Sequence, residues 1–259
     1  MTSHRFAKGE THLACQVVGS GTPLVLIHGF PFDHTMWQAQ ITALQEDYQV
    51  IAPDLRGFGE SAAAVGDAST GHASAGVDMQ TYAADLVAGL DALQINEPVI
   101  LCGFSMGGYI LWQVLRQYPN RVKAIVLCDT RAGADSAPAA AGREQMATQV
   151  LTAGIQPLVD AMLPKLLAAR TQAQRPELVQ QVTAMIRKAS PAAVAAALRG
   201  MARRPDVQSE LANFDWPALV LAGAEDEISP PEEMQAIAAQ LPQAKFVEIA
   251  DAGHMSTLE

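Results

Sequence analysis

The run Gly103-Phe104-Ser105-Met106-Gly107 constrains this chain more than any other, because of what flanks it. Upstream, residues 98–102 are a short apolar stretch of the kind that forms a buried strand, and over 106–118 the apolar spacing turns helical. A G-x-S-x-G at such a junction holds its serine on a sharp turn between strand and helix. Small residues at 103 and 107, with Gly108 behind, let the backbone double back, so the hydroxyl stands at the carboxyl edge of a sheet. The helix starting after Ser105 points unpaired N–H groups above that edge, where negative charge developing on an oxygen would be stabilised. The pattern alone occurs by chance in many chains; its placement gives it weight.

The remaining elements alternate in a matching way. Residues 11–18 and the stretch before them read as paired strands turning near Gly9, and the continuous apolar run 24–27 suits a parallel strand covered on both faces, ending in His28-Gly29-Phe30-Pro31. Helical spacing over 37–44, a strand over 48–52 and a glycine-punctuated turn over 53–61 follow. The Ala-, Ser- and Gly-rich stretch 61–77 reads as loop. Asp78 is placed to cap a helix carrying Met79, Tyr82, Leu86, Leu90 and Leu93, and strands are expected at 99–102 and 122–128. This rhythm predicts an α/β protein with a mostly parallel sheet and helices on both faces.

The rhythm changes over 131–205. Alanine-rich segments at 143–152, 156–169, 176–188 and 191–203 have helical period and no strand between them. They predict a helical cap inserted between two core portions, 1–130 and 206–259. Met162 and Leu163 are the expected pocket-facing side chains of that cap. The sheet resumes at 218–222, with a helix over 231–241, a strand over 246–249 and then Asp251-Ala252-Gly253-His254.

A serine hydroxyl is a poor nucleophile at neutral pH and needs a base, with a carboxylate behind the base to fix the imidazole tautomer. His254 follows a predicted strand and so falls at the same sheet edge as Ser105. His4, His12, His34 and His72 lie in strands or loops without a partner motif, while His28 is better used in shaping its turn. Among the adjacent Glu225, Asp226 and Glu227 only one side chain can point at His254, and Asp226 is the choice. Asp129, at the end of the preceding strand, ranks second and Asp251 third.

Composition narrows the partners. A net charge of -10 with no basic cluster argues against nucleic acid and against anionic membrane, and no apolar run reaches spanning length. Residues 1–10 lack the apolar core of a secretory signal. Cys15, Cys102 and Cys128 sit in apolar strand-like segments, without C-x-x-C or metal spacing, and read as buried free thiols of a cytoplasmic protein.

In order, His28-Gly29-Phe30-Pro31, the run from Asp54 to Ser61, Gly103 to Gly108, Gly223 to Asp226 with Pro230, and Gly253-His254 resemble the α/β-hydrolase superfamily, near its small carboxylesterases, enol-lactonases and cofactor-free perhydrolases. The resemblance covers essentially the whole chain, and the order Ser105, Asp226, His254 is the order of that superfamily. It implies an α/β-hydrolase fold and a Ser105, His254, Asp226 triad. The oxyanion hole would come from the backbone N–H groups of Phe30 and Met106. The implied activity is hydrolysis of small to medium esters or lactones, with no metal and no cofactor; carbon–carbon bond hydrolysis and perhydrolysis use the same triad. A ligand-binding protein without turnover is the alternative from another class. A homo-oligomer is allowed without being required. Serine at 105 disfavours the dehalogenase and epoxide hydrolase branches, whose nucleophile is a carboxylate. Relatives usually continue after the histidine into a final helix, whereas five residues follow His254 here, so an apolar groove on one sheet face is expected.

Overall fold

Apolar runs that need cover on both faces build the centre of a sheet, and here they align into eight strands in the order β1-β2-β4-β3-β5-β6-β7-β8. A computed structural model of the chain describes residues 2–8, 11–64 and 75–259. The turn expected at Gly9 and the part of the expected loop at 65–74, with His72, lie outside the described residues. Strands β1 (Thr2–Lys8) and β2 (Thr11–Val18) pair antiparallel, and β2 is antiparallel to β4 (Tyr48–Asp54). The others, β3 (Thr22–Ile27), β5 (Val99–Phe104), β6 (Val122–Cys128), β7 (Ala218–Gly223) and β8 (Ala244–Ile249), run parallel.

Because β3 is followed in sequence by β4 on one side and flanked by β5 on the other, the strand order reverses there. Loops leaving the carboxyl ends of β3 and β5 diverge at such a point and leave a crevice between them. The 28–31 turn and Ser105 occupy those two ends. Helices α1 (Gln38–Leu44), α2 (Met79–Ala92) and α3 (Met106–Gln117) link the strands of this half. Asp78 caps α2 by accepting from the Thr81 N–H. Ile27, Leu101, Phe104, Ile110 and Leu111 are fully buried between sheet and helices.

Between β6 and β7 run α4 (Ala137–Ala153), α5 (Gln156–Leu166), α6 (Ala169–Gln174), α7 (Pro176–Lys188) and α8 (Pro191–Ala202). The alanines of 192–197 are buried along α8, and the Val77 N–H donates to the Ala196 carbonyl, which ties this layer to the core. Two boundaries differ from the sequence pattern by more than two residues. Helix α4 begins six residues before 143, because the Ser136 side chain accepts from the Ala139 N–H and Pro138 suits a first helical turn. The segment expected to be helical through 169 stops at Leu166, where the Met255 N–H takes the Leu166 carbonyl and the Ala168 N–H goes to the Glu259 carboxylate. Backbone groups committed to the chain around His254 cannot also continue a helix. Met162 and Leu163 are half-buried and pack against the hydrophobic core. Residues Gly59–Ala64 form a 3-10 turn where sequence composition suggested loop from 61 onward.

One sheet face carries an open groove of about 720 Å³ lined by Leu24, Leu26, Ile100, Cys102, Val126 and Leu219. Cys15, Cys102 and Cys128 are buried free thiols. Among the described residues no helix is long and apolar enough to cross a membrane, and no group of three or more His, Cys, Asp or Glu side chains could hold a metal ion.

Candidate active site

Ser105 is the single residue between β5 and α3, and its backbone has φ 51° and ψ -114°. A non-glycine residue there is strained and persists only when its surroundings hold it. Three hydrogen bonds do so: the Ser105 N–H donates to the Cys128 carbonyl at 2.9 Å, and the Ser105 carbonyl accepts from the Gly108 N–H at 2.9 Å and the Thr130 hydroxyl at 2.6 Å. The flanking glycines are required by close approach. A Cβ on Gly103 would lie 2.6 Å from the Gly107 carbonyl oxygen, and one on Gly107 would press into the carbonyl of Ile27.

The turn after β8 brings His254 to this serine. Its Nε2 lies 3.0 Å from Ser105 Oγ and its Nδ1 2.8 Å from Asp226 Oδ2, with the Phe104 ring 5.1 Å away between centroids. A carboxylate only accepts, so Nδ1–H donates to Asp226 and Nε2 is left to accept from the serine hydroxyl. Asp226, in the turn after β7, is buried while Glu225 and Glu227 are exposed. Its carboxylate also accepts from Ile228 N–H at 2.7 Å, Ser229 N–H at 3.0 Å and the Ser229 hydroxyl at 2.6 Å. Burial pushes the Asp226 carboxyl up, but the bonds from His254 and Ser229 outweigh it and hold it below the usual carboxylate range. Sequence reasoning missed Ser229; the signal was an aspartate followed three residues later by a serine, a spacing that favours local side-chain closure.

The two other acids have different partners. Asp129, at φ 46°, accepts from Gly223 N–H at 2.8 Å and from the Ser256 hydroxyl. Burial raises its pKa to about 7, against the opposing pull of His254 and the hydrogen bonds. Asp251 is exposed and meets Arg170 at 3.3 Å.

Met106 is the first residue of α3, so its N–H has no acceptor within the helix. Phe30 sits in a turn closed by Phe32 N–H on the Gly29 carbonyl at 3.0 Å, with a cis Phe30–Pro31 peptide and its ring edge-on to Phe58. His28 shapes this turn: Nδ1–H donates to the Gly29 carbonyl and Nε2 accepts from Leu55 N–H, each at 2.9 Å. Burial lowers its pKa, consistent with a neutral ring. His34, left without a partner in the sequence reading, is bonded to Asp54 by both its backbone N–H and its ring Nδ1, each at 2.8 Å. Nothing in local spacing signals that pair, because His34 lies in the turns after β3 whereas Asp54 ends β4.

The three side chains form a relay in which a hydroxyl can pass its proton to an imidazole backed by a carboxylate, beside N–H groups at a helix start. The chain is similar to known hydrolases over most of its length. A thermophilic esterase from Thermogutta terrifontis superposes with a TM-score of 0.92 at 40% identity, over 100% of this chain and 93% of that one. An enol-lactonase from Burkholderia xenovorans superposes with a TM-score of 0.86 at 25% identity, covering 98% and 93%. The 3-oxoadipate enol-lactonase 2 of Acinetobacter baylyi is 28% identical over 225 residues, 87% of this chain and 79% of the relative. The sequence profile of the alpha/beta hydrolase fold matches residues 22–259, and with it the strand order, the serine turn and the placement of His254 make the chain a member of that hydrolase family.

Proposed function

We propose that the protein is a serine hydrolase that cleaves carboxylic esters or lactones of small to medium size through an acyl-enzyme. One observation carries the reading: the line from Asp226 Oδ2 to His254 Nδ1 at 2.8 Å and from His254 Nε2 to Ser105 Oγ at 3.0 Å. In the proposed cycle Ser105 Oγ attacks the carbonyl carbon as its proton passes to His254 Nε2. Asp226 keeps the ring oriented and stabilises the imidazolium. The carbonyl oxygen, now an oxyanion, is held by the N–H groups of Met106 and Phe30. As the tetrahedral carbon collapses, His254 gives the proton to the departing alkoxide and the acyl group remains on Ser105. Water then attacks that ester with His254 again as base, releasing the acid and restoring the serine.

The esterase and enol-lactonase likenesses support this substrate class, and the 40% identity to the Thermogutta protein favours esters first. An organophosphorus probe is expected to label Ser105 once per chain, with labelling lost in Ser105→Ala. A wild type that stays unlabelled overturns the proposal and leaves the fold as a ligand-binding scaffold. Assays of esters, lactones, cleavable diketones and peracid formation on one unlabelled preparation then rank the chemistries that share these residues.

A further inference from the structure

Asp129 is a buried carboxyl that the proposed cycle does not use, and its bonds lead to the base. It stands one residue beyond β6, at φ 46°, with its N–H donating to the Leu221 carbonyl at 3.0 Å. One carboxyl oxygen takes the Gly223 N–H at 2.8 Å, at the end of β7, three residues before Asp226. The other takes the hydroxyl of Ser256, two residues after His254. A single side chain therefore joins β6, β7 and the turn that carries the histidine.

We propose that Asp129 is a positioning residue for the hydrolysis, which clamps the His254 turn through Ser256 and places a second, ionisable carboxyl behind the imidazole. The inference rests on the reading of His254 as the base. The charged groups facing Asp129 are His254 and Asp226; the nearby Cys128 thiol, next to it in the chain, is pushed well up by its contact with Cys102 and by burial and stays neutral. The two aspartates are driven apart by their surroundings: Asp226 accepts four hydrogen bonds and is held low, while Asp129 accepts two in a more enclosed place and is raised to about 7. One carboxylate thus stays charged throughout the working range, and the other changes charge within it. When His254 becomes an imidazolium, its charge favours the ionised form of Asp129, and that ionised form in turn favours the imidazolium.

The test is the pH profile of kcat/KM on a short-chain activated aryl ester, using the full chain and Asp129→Asn. Asparagine keeps the shape and an acceptor oxygen but removes the charge. The acid limb is expected to move to lower pH in Asp129→Asn by about half a unit or more, because one negative charge beside the imidazolium is gone. On the alkaline plateau kcat is expected to fall roughly 3- to 10-fold with KM unchanged, a partial loss of charge stabilisation. Ser256→Ala, which loosens the clamp and keeps the carboxyl, lowers the plateau and moves the limb less than Asp129→Asn does. An Asp129→Asn profile of wild-type shape overturns the inference.

Should Asp129→Asn fail to fold, the ¹³C NMR titration of the Asp129 carboxyl in wild type and His254→Ala decides it. The midpoint rises when the imidazole is removed, and an unchanged midpoint overturns the inference. Ester hydrolysis that survives Ser105→Ala defeats the reading of the site itself; hydrolysis that needs Ser105 but ignores Asp129→Asn defeats only this inference.

Discussion

Two histidines in this molecule each place Nδ1 2.8 Å from a buried aspartate oxygen, His254 on Asp226 and His34 on Asp54. The Asp54 carboxylate also takes two backbone N–H groups, those of His34 and Glu60, as Asp226 takes those of Ile228 and Ser229. In both pairs burial raises the carboxyl and the hydrogen bonds overcome it, leaving it below its ordinary range. The difference lies at the far nitrogen. His254 Nε2 meets a serine hydroxyl on a strained turn, whereas among the described residues no hydroxyl or thiol is bonded to the His34 ring. Asp54 instead ties the 28–34 turn, which carries Phe30, to the turn after β4, and its backbone carbonyl holds the Ser61 hydroxyl at 2.8 Å. The same pair thus ends without a hydroxyl partner in one place and against a serine hydroxyl in the other, and what the second nitrogen touches separates a brace from the proposed proton relay.

Substitutions sharpen that contrast. The largest effect is expected on the His254 side: Ser105→Ala or Asp226→Asn lowers kcat by about 10,000-fold or more. Their melting temperatures stay near wild type for Ser105→Ala; a kcat within tenfold of wild type for either variant would break the relay assignment. On the other side, Asp54→Asn is expected to destabilise the fold by about 3 kcal/mol, since it strips the charge from a buried ion-paired network. Its kcat per folded molecule changes by less than roughly tenfold, as expected of a brace. Denaturant melts and active-site titration on one preparation separate the two quantities.

A smaller effect comes with pH. Burial lowers the His34 pKa, but the bonds to Asp54 prevail and raise it, so its contribution to stability is complete below the ordinary histidine value and fades as pH rises through the raised one. Asp54 is held low, so its contribution is lost as pH falls through that lowered value. The stability gap between wild type and His34→Gln is therefore widest in the mildly acidic range and narrows toward alkaline pH. A gap that grows with rising pH would contradict the pairing. The smallest effect is expected from Ser229→Ala, which removes one of the bonds to Asp226 and leaves the backbone ones; kcat should fall by about 3- to 10-fold, with little change in melting temperature.

Much of the architecture is legible in local pattern. The apolar runs marked β3, β5, β6 and β7 to within two residues, the Asp78 cap marked the start of α2, and the glycine-flanked serine marked the β5–α3 junction. Period and turn chemistry are properties of neighbouring residues, so a single chain displays them. Asp226 and His254 were legible for a related reason: each follows a parallel strand, and parallel strands deliver the loops after them to one edge. The end of α5 was not legible, because Leu166 and Ala168 spend their backbone groups on residues some ninety positions away.

The sequence by itself therefore determined the class of fold and the sheet edge at which Ser105, Asp226 and His254 gather, since these follow from periodicity and from turns that only small residues can make. Tertiary structure alone decided that His34 finds Asp54 and that Ser256 secures Asp129. Those choices depend on which loops become neighbours at the ends of adjacent strands and on side-chain directions to within an ångström, and no spacing along the chain records either.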